Sequence, residues 1–317
     1  MVRERKQRLP FAGADGREKM LWETDAMPKG PLRLVLAFAL AIFAGAAHAD
    51  DYPSRPIRLV VPYAAGGGAD SVARIVAKRV SETIGQPIVI ENRGGAGSII
   101  GTDLVNKSDP DGYTLLLGQS GPISINPAVY KKLPYDPLKD FAPVTMTTAY
   151  PYIMVVNPTL GVKTLKEFVT LAARKPGELN YGTTGVGAAN HLVTELFDSK
   201  ANIKMTHIPY RGTALAVTSK ERSPVAPQVP TISESGYPGF DAIAWHGILA
   251  PANTPPAIVQ KLNAEIVAAL KNPETRALLE KQAMQTVGNS PDAFASFIRE
   301  DIAVWKAVAE QANVEVR

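Results

Sequence analysis

The chain has 317 residues, of which 34 are lysine or arginine and 30 are aspartate or glutamate, and it contains no cysteine. The lack of cysteine excludes a disulfide scaffold and thiolate metal sites. The first 49 residues carry 8 basic and 5 acidic side chains, which leaves 26 basic and 25 acidic residues in the remainder. This near-neutral balance gives no support for nucleic-acid binding or for a polybasic membrane patch.

The amino-terminal segment has the pattern of a secretory signal. Lys29 and Arg33 precede the apolar run 34–47, and residues 47–49 (Ala-His-Ala) provide small side chains at the positions that signal peptidase requires. The apolar run is short for a membrane span. We therefore expect cleavage near Ala49 and export of the mature chain to the periplasm.

The first half of the mature chain alternates strand-like and helix-like patterns. Short β-branched runs predict strands at 57–62, 87–91 and 113–118. Helical spacing of apolar residues begins at Val72, and Gly85 is placed to end that helix. Such alternation is typical of a doubly wound α/β fold with a mostly parallel sheet flanked by helices.

Two extended segments, 144–156 and 243–249, predict crossings between two domains. Thr254 and Ser290, each followed by proline, predict the starts of carboxy-terminal helices that pack back on the first domain. We therefore expect a leader (1–49), a first lobe (50–150 plus 243–317) and a second lobe (151–242).

The first of two Gly-rich loops, residues 62–74, lies between a predicted strand and a predicted helix. Its consecutive glycines let backbone N–H groups approach an anion at the positive end of the helix dipole. The loop lacks both the Lys-[Ser/Thr] pair of a Walker A motif and the G-x-G-x-x-G spacing, so a carboxylate suits it better than a nucleotide. Asp70 is predicted to cap the helix, or else to accept a hydrogen bond from a substrate ammonium or hydroxyl group.

The second loop, residues 180–192, has the same place between a strand and a helix and adds the hydroxyls of Thr183 and Thr184. His191 follows as a structural hydrogen-bonding group or a ligand contact. Ser120 comes just after a strand, where α/β sheets bind ligands, or belongs to a polar turn. The sequence shows neither G-x-S-x-G nor H-E-x-x-H, and it predicts no catalytic centre, metal or cofactor.

The chain resembles the periplasmic solute receptors of tripartite tricarboxylate transporters, the Bug-type receptors. The similarity covers nearly the whole mature chain, and its motifs include YPSRPIRLVVPYAAGGGADSVAR (52–74), GQPIVIENRGGAGSIIGTD (85–103), LNYGTTGVGAANHL (179–192) and WHGILAPANTP (245–255). The resemblance implies a two-lobe clamshell, monomeric and without cofactor. It would close on a small carboxylate (a di- or tricarboxylate, or a related organic or amino acid) and deliver it to membrane permease subunits.

The resemblance also implies which residues contact the ligand, mainly through backbone amides of the two loops. The first lobe would supply Ala65, Gly67, Gly68 and Asp70, and the second lobe Thr183, Thr184, Gly187 and His191.

The chain departs from this family after Thr213. In the family, the segments that correspond to PYRGT and ALAVT are separated by roughly thirty residues that supply a parallel crossover, whereas Thr213 here runs directly into Ala214. We hypothesise an internally deleted receptor with a weakened second lobe and reduced or lost affinity. Two other functions stay open: an exported α/β enzyme acting on a small organic acid, and a ligand-sensing adaptor for a membrane sensor.

Overall fold

The computed structural model describes residues 52–183, 186–209, 218, 221–222 and 230–314. The strands are β1 (Ile57–Val61), β2 (Ile88–Asn92), β3 (Thr114–Gln119), β4 (Phe141–Pro151), β5 (Asn180–Thr183), β6 (Thr206–Pro209), β7 (Ile243–Pro251) and β8 (Gln285–Thr286). The α-helices are α1 (Gly68–Ile84), α2 (Ile99–Asn106), α3 (Asn126–Val129), α4 (Leu165–Arg174), α5 (Ala189–Ala201), α6 (Pro256–Lys271), α7 (Pro273–Glu280) and α8 (Pro291–Gln311).

The larger sheet has six strands in the order β2-β1-β3-β7-β4-β8. The pairings of β1 with β2 and β3 are parallel, as the α/β pattern predicts. The pairings that involve β4 and β7 are antiparallel, so this sheet is mixed rather than mostly parallel. The reason lies in the two crossings: β4 leads the chain out of this sheet and β7 brings it back, so the two strands run in opposite directions.

Within the described residues, the second sheet consists of β5 and β6, which are parallel and joined through α5. Its core is built from residues of α4 and α5 together with Met205, Ile232 and Phe240. The two-lobe α/β architecture is therefore present, with one sheet in each lobe. The predicted deletion at Thr213–Ala214 lies outside the described residues.

The first helix follows the sequence pattern closely. Val72, Val76 and Val80 are buried against the larger sheet, because a spacing of four residues places them on one helix face. Gly85 adopts φ 82° at the carboxy-terminal end, a left-handed conformation that glycine takes without strain. Helices α1, α6 and α7 share one core with the sheet, while α2 and α8 share the core on its other face.

Helix α8 belongs to both cores. Its first half buries Phe294, Ile298 and Ile302 against the larger sheet, as predicted for a helix that packs back on the first lobe. Its second half buries Trp305 and Val308 in the core of the second lobe, which the sequence did not predict. One continuous helix thus connects the two cores. Among the described residues, no helix combines the length and apolar character needed to cross a bilayer.

Gly247 in β7 offers a test of how tightly the larger sheet packs. A Cβ at this position would overlap the ring of Phe294 and would lie 3.1 Å from the carbonyl oxygen of Thr145. We expect Gly247→Ala to lower the free energy of unfolding by about 1–3 kcal/mol, as overpacked cores do. Urea unfolding measures the change.

The matched control is Gly121→Ala, because a Cβ there comes no closer than 3.5 Å to the Tyr63 hydroxyl. Its effect should stay within about 0.5 kcal/mol. Equal unfolding midpoints for the two variants would contradict the packing described for β7 and α8.

Candidate functional site

The first Gly-rich loop presents an uncapped helix start to solvent. Gly67 is the N-cap of α1, with extended backbone angles (φ −82°, ψ 174°), and no side chain caps this end of the helix. Ala65, Gly67 and Gly68 are exposed. The N–H groups in the first turn of a helix have no intrahelical partner, so they are available to an anion. We call residues 64–70 the first seat.

Asp70 shapes the first seat instead of capping the helix. As the third residue of α1 it is only 4% exposed. One carboxylate oxygen accepts the Gly66 N–H and the Arg74 Nε–H, both at 2.9 Å, and the other accepts from Asn92 at 3.0 Å. The bond with Arg74, helped by those with Gly66 and Asn92, lowers the pKa of Asp70 to about 2. The prediction of a helix cap is wrong in detail, because the carboxylate bonds back to the loop.

Ser120 directly follows β3, as the sequence predicts, and it is buried. Beside it lies a polar group that the sequence did not reveal. Gln119 contacts the Nε2 atom of His246 and lies 3.4 Å from the Tyr150 hydroxyl, while the Thr148 hydroxyl is 2.9 Å from Nδ1 of His246. Burial lowers the pKa of His246 to about 3, so this imidazole is neutral at ordinary pH.

The second loop brings Thr183, Gly187 and His191 together, whereas Thr184 lies outside the described residues. The Gly187 N–H donates to Nδ1 of His191 at 3.0 Å, so it is engaged within the protein. His191 itself is 5% exposed. The Thr183 hydroxyl is 2.5 Å from Nε2 of His207. We call Thr183 and Gly187, which are the two residues of this loop that bond to the imidazoles, the second seat.

The two imidazoles beneath the second seat are stacked. The ring centroids of His191 and His207 are 3.9 Å apart, with an interplanar angle of 15°. Tyr181 lies beside both rings and donates its hydroxyl to Glu195. Burial, reinforced by His207, lowers the pKa of His191 to about 4.

Two sequence signals could have located this cluster. Tyr181 and His207 are register partners in the parallel pair of β5 and β6. His191 and Glu195 are four residues apart on α5, so they share one helix face. Neither signal stands out without knowledge of which strands pair.

A cavity of about 900 Å³ separates residues 152–160 from β5 and α5. Its lining includes Phe168, Val193 and Phe197, and the apolar side chains of Ile153 and Ile208 near it remain 45% and 42% exposed. Within the part of the chain that the structure covers, no group of three or more histidine, aspartate or glutamate side chains could hold a metal ion.

Comparison with known proteins identifies one family over most of the chain. Residues 72–216 and 213–314 match the family described as "Tripartite tricarboxylate transporter family receptor". Protein BugT of Bordetella pertussis is 34% identical, over 88% of this chain and 96% of BugT. The structure of R. palustris Rpa4515 with adipate is 33% identical, with a TM-score of 0.75 over 84% of this chain and 99% of that one. MatC (Rpa3494) from Rhodopseudomonas palustris with bound malate is 32% identical, with a TM-score of 0.71 over 81% and 99%.

The family match is divided at one place. Its two segments overlap at residues 213–216, which is where the crossover of the second lobe is expected to be missing. The alignment with BugT extends over 312 positions although it includes 88% of the 317 residues of this chain, so BugT has residues that this chain lacks.

The contribution of Asp70 to stability should depend on pH. Its folded pKa of about 2 lies below the unfolded value of about 4, so the stabilisation is complete above about pH 5 and is lost as pH falls toward 2. We expect Asp70→Asn to lower the free energy of unfolding by about 1–3 kcal/mol at neutral pH and by much less near pH 2. Urea unfolding at several pH values measures this difference.

The control is Glu280→Gln, which removes an exposed ion pair with Arg276. Its effect should be below about 1 kcal/mol. A penalty for Asp70→Asn that does not change with pH would count against the assigned role of the carboxylate.

Proposed function

Because this chain belongs to the receptor family of tripartite tricarboxylate transporters, we propose that it is a periplasmic receptor that captures a small carboxylate and delivers it to a membrane permease. The ligand would be held between a first lobe of residues 50–150 plus 243–317 and a second lobe of residues 151–242. Residues 1–49 would serve as the export signal. The receptor would act as a monomer, without a cofactor and without chemical change of its ligand.

The first seat carries this proposal. It combines exposed N–H groups, a helix dipole and glycines without side chains, which together favour an anion. Asp70 is engaged by three donors of the protein, so the N–H groups remain the binding elements of the loop. A carboxylate has two charged oxygens that can accept hydrogen bonds from such N–H groups.

The ligand class follows from the kind of donor. The proposed contacts are the amides of Ala65, Gly67 and Gly68 and the hydroxyls of Ser120, Thr183 and Thr184. All of these groups are neutral, so they select for hydrogen-bonding geometry rather than for charge alone. Adipate and malate, which occupy related receptors, are dicarboxylates, and we propose a small dicarboxylate as the first ligand class to test.

The divided family match also leads to an expectation about ligand affinity. We propose that the chain lacks a crossover of the second lobe, which is supported by the divided family match and by the residues that BugT has and this chain lacks. A weakened second lobe would close less firmly on the ligand. Affinity should therefore be lower than in an undivided relative, and ligand-induced stabilisation should be correspondingly small.

Gly67 is the position of the first seat where a substitution tests ligand binding without disturbing the fold. A Cβ there meets nothing closer than the Ala64 carbonyl oxygen at 3.7 Å, and the extended backbone accepts valine. We expect Gly67→Val to fold normally but to lower the affinity for adipate or malate about tenfold or more, because its branched side chain blocks access to the amides. Calorimetric titration of the chain starting at Asp50 measures this loss.

Ala268→Val introduces the same branched side chain on the exposed face of α6 and should bind like the wild type. Gly187 is a poorer probe, because its φ of 73° would strain any substituted residue. Equal affinity in Gly67→Val and the wild type would reject the first seat. Failure of all small di- and tricarboxylates to bind the wild-type chain would reject the proposed ligand class.

A further inference from the structure

The second seat is bonded to two imidazoles, of which His191 acts as a hydrogen-bond acceptor and His207 shares a hydrogen bond with a hydroxyl. Gly187 and Thr183 flank the loop, and each of them bonds to one ring of the stacked pair. The Gly187 N–H is 3.0 Å from Nδ1 of His191, and the Thr183 hydroxyl is 2.5 Å from Nε2 of His207. Gly187 and His191 are both buried, so their bond forms away from solvent, whereas Thr183 is buried against a half-buried His207.

The geometry fixes the protonation state of His191. A backbone N–H can only donate, so Nδ1 of His191 must be unprotonated and the proton of the neutral ring lies on Nε2. The Nε2 atom is 3.7 Å from the carboxylate of Glu195. A second proton, on Nδ1, would place two donors against each other and would break the bond to Gly187.

The charged and titratable groups around the pair come from each neighbouring element. Glu195 and Asp198 lie on α5 itself, Tyr181 lies on β5, and His207 lies on β6. Helix α8 also packs against α5, with Gln311 at 3.4 Å from Ser199. Burial lowers the pKa of both histidines, and burial raises the pKa of Asp198 to about 7. The histidines therefore stay neutral near pH 7, while Asp198 titrates there separately.

We propose that His191 and His207 are positioning residues: as neutral hydrogen-bonding groups they hold Gly187 and Thr183, and thereby the second seat, in the conformation that receives the ligand. This inference rests on the proposed function. It changes the expectation that His191 contacts the ligand, because its Nδ1 bonds to the loop and its ring faces His207 and Glu195. Deleting either imidazole should loosen the loop and weaken binding without removing any contact to the ligand.

Conservative variants separate this role from general packing. The Oδ1 atom of asparagine can replace Nδ1 as an acceptor, so His191→Asn should retain affinity within about threefold, whereas His191→Leu should lose about three- to tenfold, the net effect of one hydrogen bond. His207→Gln and His207→Leu form the corresponding pair for Nε2. Val193→Ala, on the same helix, is the control for a packing defect: stability falls but affinity does not.

The pH profile gives a readout that packing alone would not change. The affinity of the wild type should fall relative to that of His191→Asn as pH decreases toward about 4, because only the imidazole can be protonated. Protonation of the ligand is common to both proteins and cancels in the ratio. A constant ratio between pH 7 and 4 would overturn the inference.

An experiment without ligand keeps this inference separate from the proposed function. In the free protein, NMR should show Nδ1 of His191 unprotonated at neutral pH, and hydrogen exchange of the Gly187 amide should be slow in the wild type and His191→Asn but fast in His191→Leu. That result supports the positioning role even if no carboxylate binds. A protonated Nδ1, or equal exchange in all three proteins, would overturn it. Loss of binding in both folded His191 variants would indicate direct ligand contact and would also overturn it.

Discussion

The hydrogen bond between the Asp70 carboxylate and the Gly66 N–H is the contact on which the first seat depends. Together with the bonds from Arg74 and Asn92, it ties the start of α1 to the loop before it and to the end of β2. A carboxylate beside an anion site would ordinarily repel the ligand. Here the negative charge of Asp70 is compensated by hydrogen bonds from Arg74, Asn92 and the Gly66 N–H. The N–H groups at the helix start can therefore still bind an anion.

The second seat is supported by a different kind of group. A neutral imidazole accepts from the Gly187 N–H, a second imidazole shares a hydrogen bond with the Thr183 hydroxyl, and a half-buried tyrosine–glutamate contact lies beside them. Of the described residues at the first seat, Arg74 bonds to the Asp70 carboxylate, and we propose that main-chain amides bind the ligand. Under this proposal, neutral and largely backbone-based sites would accept related acids, and specificity would depend on hydroxyl and amide groups such as those of Ser120 and Gln119. Helix α8 joins the cores of both lobes, so it couples the stability of one to that of the other.

The sequence predicts the regular elements well, because local patterns determine them. Ser290 caps α8 as expected, its hydroxyl accepting from the Ala293 N–H. Thr254 does not cap α6: its hydroxyl donates to the Pro251 carbonyl, and Pro255 is the N-cap. Two prolines after Thr254 remove backbone donors that a cap would need. The clusters around His207 and His246 could not be predicted, since each combines residues from strands whose pairing is set by the whole fold.

The central claim is that main-chain amides, rather than cationic side chains, hold the acid. The most direct measurement is an amide-resolved NMR titration of the chain with adipate or malate. We expect the largest changes in amide proton shift at Ala65, Gly67 and Gly68, in the loop before α1 and at the start of this helix. Shifts confined to lysine or arginine side chains, or to residues remote from this helix start, would contradict it.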